Sequence, residues 1–325
     1  MYTIEELQSI VKKGIYSLDL KGEPSELYNP IEYMMSIGGK RIRPTLCLLT
    51  YSLFSDAIDN TIVFPALGLE VFHTFTLIHD DIMDKSDMRR GQLTVHKKWN
   101  ENIAILSADA MCIESYKYIS MAPPEKMQAV LQLFTQTGLE ICEGQQLDMN
   151  YEDISIITMD EYIKMIGLKT SALLACSSGM GAILGGAEKN VRDAIYQYGW
   201  LLGLAFQITD DYLDTFGNPA VFGKKIGGDI VNNKKSWLFV ESSRLASGPQ
   251  KEELERIMAM PAEQAKEKIA AMQNLYVELG VKENAEKTIE MYCGEAMQKI
   301  EELSLGKERT ELLGDFATQI TFRTK

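Results

Sequence analysis

The chain has 325 residues, of which 46% are hydrophobic and 24% are charged, and its formal net charge is −13. This composition is typical of a folded protein with a sizeable core, and the acidic balance argues against nucleic acid as a partner. The amino end is too acidic for a signal peptide and no apolar run approaches the length of a membrane span, so we expect a cytoplasmic protein without a transmembrane segment.

Apolar residues recur at helical spacing along the whole chain, and no Pro- or Gly-rich linker divides it, so we expect a single domain over residues 1–325. A small-residue run at 172–186 suits close helix packing, and the turn-forming segment 216–229 is typical of a flexible flap. No alternating strand pattern of useful length is present, so the predicted fold class is all-α. We predict helices at 3–20, 31–37, 45–54, 63–83, 103–121, 125–147, 159–166 and 198–213, a loop at 21–30, and further helices beyond 235.

An acidic cluster ends the apolar helix at 63–83. Asp80 and Asp84 stand at i and i+4 on one helix face, while Asp81 is turned about 100° away. Two carboxylates at that spacing repel each other unless a cation lies between them, and oxygen ligands suit Mg²⁺ that shares its coordination with a phosphate. For this cluster alone, an acidic helix cap or a solvated face is the better interpretation.

A second cluster repeats the Asp-Asp-x-x-Asp spacing. Asp210 and Asp214 share a face at the end of the helix at 198–213, and Gln207 lies one turn before Asp210. Chance recurrence on two apolar helices is improbable. Two such carboxylate pairs facing each other would hold several divalent ions and a polyanion between them.

Basic residues occur in short groups in spite of the acidic net charge. Gly38-Gly39 precedes Lys40, Arg41 and Arg43 at a predicted helix start, where backbone N–H groups and side chains could hold a diphosphate. The alternative is a solvated helix end. Arg89 and Arg90 follow the first aspartate cluster and could bind phosphate oxygens through their planar guanidinium groups.

With these motifs together, the chain resembles the trans-isoprenyl diphosphate synthases of the polyprenyl synthetase family over nearly its whole length. The resemblance implies an all-α, isoprenoid-synthase-type helical bundle around a deep central cavity, usually as a homodimer, with the two aspartate clusters facing each other across its mouth. The matching stretches are GGKRIRP at 38–44, HTFTLIHDDIMDKSDMRRG at 73–91, GQQLD at 144–148, GLKTSAL at 167–173, FQITDDYLD at 206–214, FGKKIGGDI at 222–230 and NKKS at 233–236.

The resemblance also implies roles for individual residues. It implies Mg²⁺ as the cofactor, three ions per site with substrate bound, with isopentenyl diphosphate and an allylic prenyl diphosphate as substrates. Ligands to Mg²⁺ would be Asp80, Asp84 and Asp210, with Asp81, Asp211 and Asp214 completing or supporting the shell. The allylic diphosphate would be held by Arg89, Lys169, Thr170, Gln207, Lys224 and Lys234, and isopentenyl diphosphate by Lys40, Arg43, His73 and Arg90. From the residues alone, His73 would be interpreted as a core histidine.

Product length should depend on the depth of the cavity floor. Phe75 and Thr76 precede Asp80 by five and four residues and Phe72 by eight, so they step away from the metal site along the helix. A bulky Phe75 facing the cavity would stop chain growth early, so we expect geranylgeranyl or farnesyl diphosphate, with geranylgeranyl favoured. If Phe75 instead turns into a helix interface, the products would be longer, in the hexaprenyl to octaprenyl range.

Two other kinds of protein could carry the same fold. A class I terpene cyclase shares an Asp-rich site but needs no second diphosphate site, so Lys40, Arg43 and Arg90 count against it. An inactive partner subunit would not be expected to keep both aspartate clusters.

Overall fold

The structure is a computed structural model that describes residues 2–217, 226–303 and 305–321, and it confirms the all-α prediction. A single hairpin of two-residue strands, β1 (Met88–Arg89) and β2 (Gln92–Leu93), interrupts the helices of the described ranges. The α-helices are α1 (Ile4–Tyr16), α2 (Ser25–Ser36), α3 (Ile42–Ser52), α4 (Asn60–Met83), α5 (Val95–Lys98), α6 (Glu101–Ile119), α7 (Pro124–Glu152), α8 (Met159–Ile166), α9 (Ala172–Leu184), α10 (Lys189–Phe216), α11 (Gly228–Val231), α12 (Trp237–Leu245), α13 (Pro249–Met258), α14 (Ala265–Glu278), α15 (Val281–Glu301) and α16 (Lys307–Thr321). A π-helix, Gly167–Ser171, joins α8 to α9, and a 3₁₀ turn, Ala262–Gln264, precedes α14.

Local sequence fixes several helix starts. Thr3 and Glu6 form a capping box at α1, in which each side chain accepts a hydrogen bond from the other residue's backbone N–H. Thr158 and Glu161 do the same at α8. Asp59 caps α4 by accepting from Thr61 N at 2.8 Å. The long apolar helix that carries the first aspartate cluster therefore begins at a defined residue.

The predicted loop at 21–30 is wrong in its second half, because α2 begins at Ser25. Pro24 takes the extended N-cap conformation, and Pro30 lies inside the helix, where it lacks the N–H for one backbone hydrogen bond. The helix tolerates Pro30 because it buries Ile31 and Met34. Packing thus outweighs the helix-breaking tendency of a proline.

The chain divides into two compact units, each drawn from three stretches. Unit 1 comprises Met1–Gln136, Cys176–Tyr196 and Leu303–Leu313, and unit 2 comprises Thr137–Ala175, Gln197–Glu302 and Gly314–Lys325. The single domain expected from the sequence stays a prediction. The first aspartate cluster belongs to unit 1 and the second to unit 2.

Each unit has an apolar core. In unit 1, α4 and α6 approach closely at Gly68, where a Cβ would lie only 2.9 Å from Ile119 Cγ1 and 3.0 Å from the carbonyl oxygen of Ser115. Core residues of unit 1 include Ile31, Met34, Val71, Ile78, Ala104 and Met111. Core residues of unit 2 include Tyr162, Leu204, Ile208, Trp237, Leu275 and Tyr276.

Two helical stretches are long and apolar enough to cross a membrane by length and composition alone. They are Asn60–Met83 and Met159–Leu184, and 61% and 83% of their most apolar windows are buried inside the protein. Core helices of this length pass the same test, so the stretches are weak indications of a membrane span.

Candidate active site

The first aspartate cluster lies at the carboxyl end of α4 and presents its carboxylates in two directions. Asp80 is half-buried and Asp84, the C-cap residue, is exposed. Asp81 is 1% exposed. Asp80 and Asp84 are therefore more accessible than Asp81, in keeping with the rotation of about 100° between neighbouring helix residues.

Arg89 is the partner of the inward carboxylate. Its Nε lies 2.9 and 2.8 Å from the two carboxylate oxygens of Asp81, and its Nη2 lies 2.8 Å from Asp81 Oδ1. Burial raises the pKa of Asp81 although this guanidinium opposes the shift. Asp81, expected at the metal, is thus bonded to Arg89, expected at the substrate diphosphate. This contact favours a supporting role for Asp81.

The β1–β2 hairpin carries the two arginines. Met88 pairs with Leu93 and Arg89 with Gln92, and the tip consists of Arg90 and Gly91 with φ angles of +51° and +76°. Arg90 donates from Nη1 to the carbonyl oxygen of Gly38. Arg89 lies on β1 and bonds to the aspartate cluster, whereas Arg90 lies at the tip and bonds to the glycine pair, so the hairpin holds the two arginines at different partners.

The glycine pair allows the basic segment to approach Arg90. Gly38 and Gly39 have φ angles of +88° and +141°, and a Cβ at Gly39 would lie 2.9 Å from Arg90 Cζ. Arg41 donates to Glu70 Oε1 at 2.7 Å and to the carbonyl oxygen of Met35 at 2.6 Å, which fixes the start of α3. Arg41 thus has a structural role, which the sequence did not indicate.

The remaining basic residues predicted for isopentenyl diphosphate also lie in unit 1. Arg43 is buried in the first turn of α3, and Lys40, two residues before the helix begins, is exposed. His73 lies on α4, and its pKa is well below the ordinary histidine value because of burial and the positive charges of Arg43 and Arg90, with smaller contributions from further arginines. His73 is therefore neutral at physiological pH, and its proximity to these arginines is consistent with the predicted grouping.

The second aspartate cluster repeats the division seen in the first. On α10, Asp210 and Asp214 are half-buried, whereas Asp211 is 5% exposed. Asp214 accepts from Asp229 N at 3.0 Å, which ties the cluster to the start of α11. The first and last carboxylates are again the more accessible ones.

Asp211 is held by three hydrogen-bond donors from different elements. Tyr162 OH lies 2.6 Å and Trp237 N 2.7 Å from Asp211 Oδ2, and Gln207 Nε2 lies 2.9 Å from Oδ1. Gln207 in turn accepts from Thr170 Oγ1 at 2.9 Å. Burial raises the pKa of Asp211 to about 6, even though these donors favour the ionised carboxylate.

The π-helix places Lys169 and Thr170. A single widened turn of this kind is frequent at functional sites. Lys169 Nζ lies 2.6 Å from Asp148 Oδ2, and Thr170 is directed to Gln207. Gly144, the first residue of the GQQLD stretch, lies so close to the π-helix that a Cβ would be 2.8 Å from Leu168 C and Lys169 Cα. The GQQLD and GLKTSAL stretches, which are distant in sequence, thus come together around Lys169.

Two of the residues predicted to set product length, Phe72 and Phe75, belong to an aromatic group within unit 1. The ring centroids of Phe72 and Phe75 are 5.1 Å apart, those of Phe72 and Phe134 are 5.0 Å apart, and those of Phe75 and His79 are 4.9 Å apart. Phe72 is buried, whereas Phe75 is half-buried; Thr76, also half-buried, donates to the carbonyl oxygen of His73. The role of these residues in product length stays a prediction.

Lys234 follows α11, where its backbone N–H donates to the carbonyl oxygen of Asp229 at 2.9 Å. Lys224 lies outside the described residues, as does most of the predicted flap.

The donor set fits Mg²⁺. Within the described ranges, no three His, Cys, Asp or Glu side chains come together as a metal-binding group. Each cluster instead offers two accessible carboxylates, and Mg²⁺ commonly binds through one or two carboxylates, with water and substrate phosphates as its other ligands.

Three residues of the site were missed in the sequence. Asp148 was part of a matched motif but received no role, and Tyr162 and Trp237 gave no local signal because they reach Asp211 only through the fold.

Comparison with known proteins agrees with the motifs. The polyprenyl synthetase family model matches residues 24–276. A short chain isoprenyl diphosphate synthase of Methanocaldococcus jannaschii is 37% identical over 78% of this chain and 74% of its own, and a geranylgeranyl diphosphate synthase of Methanosarcina mazei is 38% identical over 74% of each. A crystal structure of a geranylgeranyl pyrophosphate synthase has a TM-score of 0.94 at 40% identity and covers 100% of both chains. The sequence-based recognition is therefore confirmed, and the chain belongs to the polyprenyl synthetase family.

Proposed function

We propose that this protein is a Mg²⁺-dependent prenyltransferase that condenses isopentenyl diphosphate with allylic diphosphates, and that its main product is geranylgeranyl diphosphate. Two aspartate clusters of the same internal design carry the proposal: in each, an accessible i, i+4 carboxylate pair accompanies one buried, hydrogen-bonded carboxylate. This design recurs in both units and suits divalent ions bound to a diphosphate.

Two cationic groups favour two diphosphate substrates. Unit 1 holds Arg43 and Arg90 close enough to His73 to lower its pKa, and unit 2 presents Lys169 and Thr170 from the π-helix. A terpene cyclase acts on one diphosphate and needs only one such group. The condensing enzyme is therefore the better interpretation.

In the proposed reaction, the C–O bond of the allylic diphosphate breaks and the diphosphate leaves with the electron pair. The double bond of isopentenyl diphosphate attacks the allylic cation to form a new C–C bond, and loss of a proton to the departing diphosphate restores an alkene. Bound Mg²⁺, in the proposed three-ion arrangement, would supply positive charge to the leaving group.

The chain's own residues have distinct proposed parts in this reaction. Asp80, Asp84, Asp210 and Asp214 would hold the metal, while Arg89 and Tyr162 fix the inner carboxylates. Lys169, Thr170, Gln207, Lys224 and Lys234 would hold the allylic diphosphate, and Arg89 would add positive charge beside it. Lys40, Arg43, Arg90 and neutral His73 would orient isopentenyl diphosphate.

The product assignment rests on relatives and on Phe75. The relative from Methanosarcina mazei and the crystal structure above are both named for geranylgeranyl diphosphate. The contacts of Phe75 with Phe72 and His79 would set the point where chain growth stops. Farnesyl diphosphate is the alternative short product.

The proposal is tested by incubating the purified chain with Mg²⁺, labelled isopentenyl diphosphate and allylic starters of increasing length, and sizing the products by chromatography. We expect chain growth to end at geranylgeranyl diphosphate, and chelation of the metal to abolish condensation. Products of hexaprenyl length or more would refute the product assignment. Absence of condensation with every starter would refute the proposed prenyltransferase activity.

We also propose that the protein is a homodimer that acts in the cytoplasm. On α6 the apolar side chains of Leu106 and Ile113 are 60% and 71% exposed, as expected for a surface that a second copy covers. Light scattering during size exclusion should give twice the monomer mass of 36.6 kDa. A monomer at micromolar concentration would refute the dimer, and recovery with the membrane fraction would refute the location.

A further inference from the structure

A buried lysine lies on α14, outside every motif considered above. Lys268 is 2% exposed, and its Nζ lies 2.7 Å from Asn233 Oδ1. A buried ammonium group is costly unless its donors are satisfied. Its other neighbours are the carbonyl oxygens of Val231 at 3.4 Å, Met260 at 3.4 Å and Met258 at 3.5 Å.

These oxygens belong in part to the turn that leads into Lys234. Asn233 has a φ of +53°, a left-handed conformation that asparagine tolerates better than most residues. Asn233 N donates to the carbonyl oxygen of Ile230 at 3.2 Å, and Lys234 N donates to that of Asp229 at 2.9 Å. Lys268 therefore holds the side chain of Asn233, the residue at which the backbone turns before Lys234.

The same turn is tied to the second aspartate cluster. Asp229 N donates to Asp214 Oδ2 at 3.0 Å, and Gly227 N donates to the carbonyl oxygen of Asp214 at 2.6 Å. The segment from 227 to 234 is thus held at one end by Asp214 and at the other by Lys268. A displacement at Lys268 would be passed to Lys234 through a short, hydrogen-bonded turn.

Lys268 also contributes to the stability of the fold. The carbonyl oxygens of Met258 and Met260 lie at and just beyond the end of α13, where a cation stabilises a helix terminus. Loss of that contribution would lower stability. It would not change the affinity for one substrate while sparing the other.

We propose that Lys268 is a positioning residue, which holds the turn at 231–233 so that Lys234 meets the diphosphate of the allylic substrate. This inference rests on the proposed function, in which Lys234 contacts that diphosphate.

The test compares Lys268→Met with Lys266→Met, a matched control two residues earlier on α14 whose side chain is exposed. Steady-state kinetics of the full chain with Mg²⁺ give KM for the allylic diphosphate and for isopentenyl diphosphate separately. We expect Lys268→Met to raise the allylic KM about 10-fold, the effect of losing a hydrogen bond to a charged group, and to leave the other KM within about 2-fold. Lys266→Met should change neither.

A second variant covers the case in which Lys268→Met fails to fold. Asn233→Gly keeps the left-handed backbone conformation and removes the acceptor of Lys268, so it should raise the allylic KM selectively as well. Unchanged KM values in Asn233→Gly and in any folded Lys268→Met, with an active wild type, would overturn this inference alone. A wild type inactive with every starter would overturn the proposed function, and the inference with it.

Discussion

Replacing Gly144 by alanine tests how the π-helix is held in place. Gly144 lies within α7, and its Cα faces the backbone of the π-helix. An alanine Cβ would lie 2.8 Å from Leu168 C and Lys169 Cα, and closer still to Lys169 N. Because these are backbone atoms, no side-chain rotation can relieve the contact.

Two opposing terms set the magnitude. Alanine gains about 1 kcal/mol over glycine in a helix interior. Forcing an extra carbon into a packed site costs about 1–3 kcal/mol. We therefore expect the free energy of unfolding of Gly144→Ala to range from unchanged to about 2 kcal/mol lower.

Gly294→Ala is the matched control. Gly294 also lies inside a helix, α15, but no heavy atom lies within 4 Å of a Cβ built there. This variant should gain the helix term of about 1 kcal/mol without any cost. The difference between the two variants isolates the contact with the π-helix, at about 1–3 kcal/mol.

Urea denaturation followed by circular dichroism measures both variants, and turnover measures the site. Displacement of the π-helix should move Lys169 and lower kcat in Gly144→Ala, while Gly294→Ala keeps wild-type turnover. If Gly144→Ala were as stable as Gly294→Ala and fully active, the close approach at the π-helix would not be what requires glycine.

Three further predictions follow from the described contacts. Phe75→Ala should lengthen the product by at least one isoprenyl unit, as sized by chromatography; an unchanged distribution would remove Phe75 as the floor. Tyr162→Phe deletes a 2.6 Å hydrogen bond to Asp211, which should cost about 1–3 kcal/mol of unfolding free energy and raise the Mg²⁺ concentration needed for half-maximal activity; equal metal requirements would contradict the support role. Because the pKa of His73 is lowered in the folded state, protonation of the unfolded chain should reduce stability as the pH falls below about 6.5; His73→Gln should show a smaller loss in acid titrations, and a parallel loss would refute this reasoning.

The helices that carry the motifs could be predicted because their signals are local. Apolar periodicity gave the helix that ends at the first aspartate cluster, and the Gly38-Gly39 pair marked the end of α2. The i, i+4 geometry of each cluster depends only on helix rotation, so the shared face of the first and last aspartates could be predicted from their spacing. The helix start at Ser25 was missed; Pro24 and Pro30 disfavour a helix there, and burial of the apolar face at Ile31 and Met34 outweighs that tendency.

The partners of the charged groups could not be predicted, because they join residues distant in sequence. Lys169 meets Asp148, and Tyr162 meets Asp211, only after their helices pack. Arg89 was expected at the substrate, yet its Nε and Nη2 bind Asp81. A sequence motif shows which residue types are present. Whether a charged side chain binds substrate or another protein residue depends on tertiary contacts.

The inner aspartate of each cluster explains why the motif contains adjacent aspartates. A carboxylate pair at i and i+4 is sufficient to bind a divalent ion with water and phosphate. Both inner residues, Asp81 and Asp211, are instead buried and bonded to donors from other elements, Arg89 in one case and Tyr162 and Trp237 in the other. Because the inner and outer carboxylates share one helical turn, anchoring the inner one fixes the rotation of that turn about the helix axis. On the proposed function, the repeated motif would combine metal ligands with the residue that orients them, and replacement of an inner aspartate should lower metal affinity without removing a ligand.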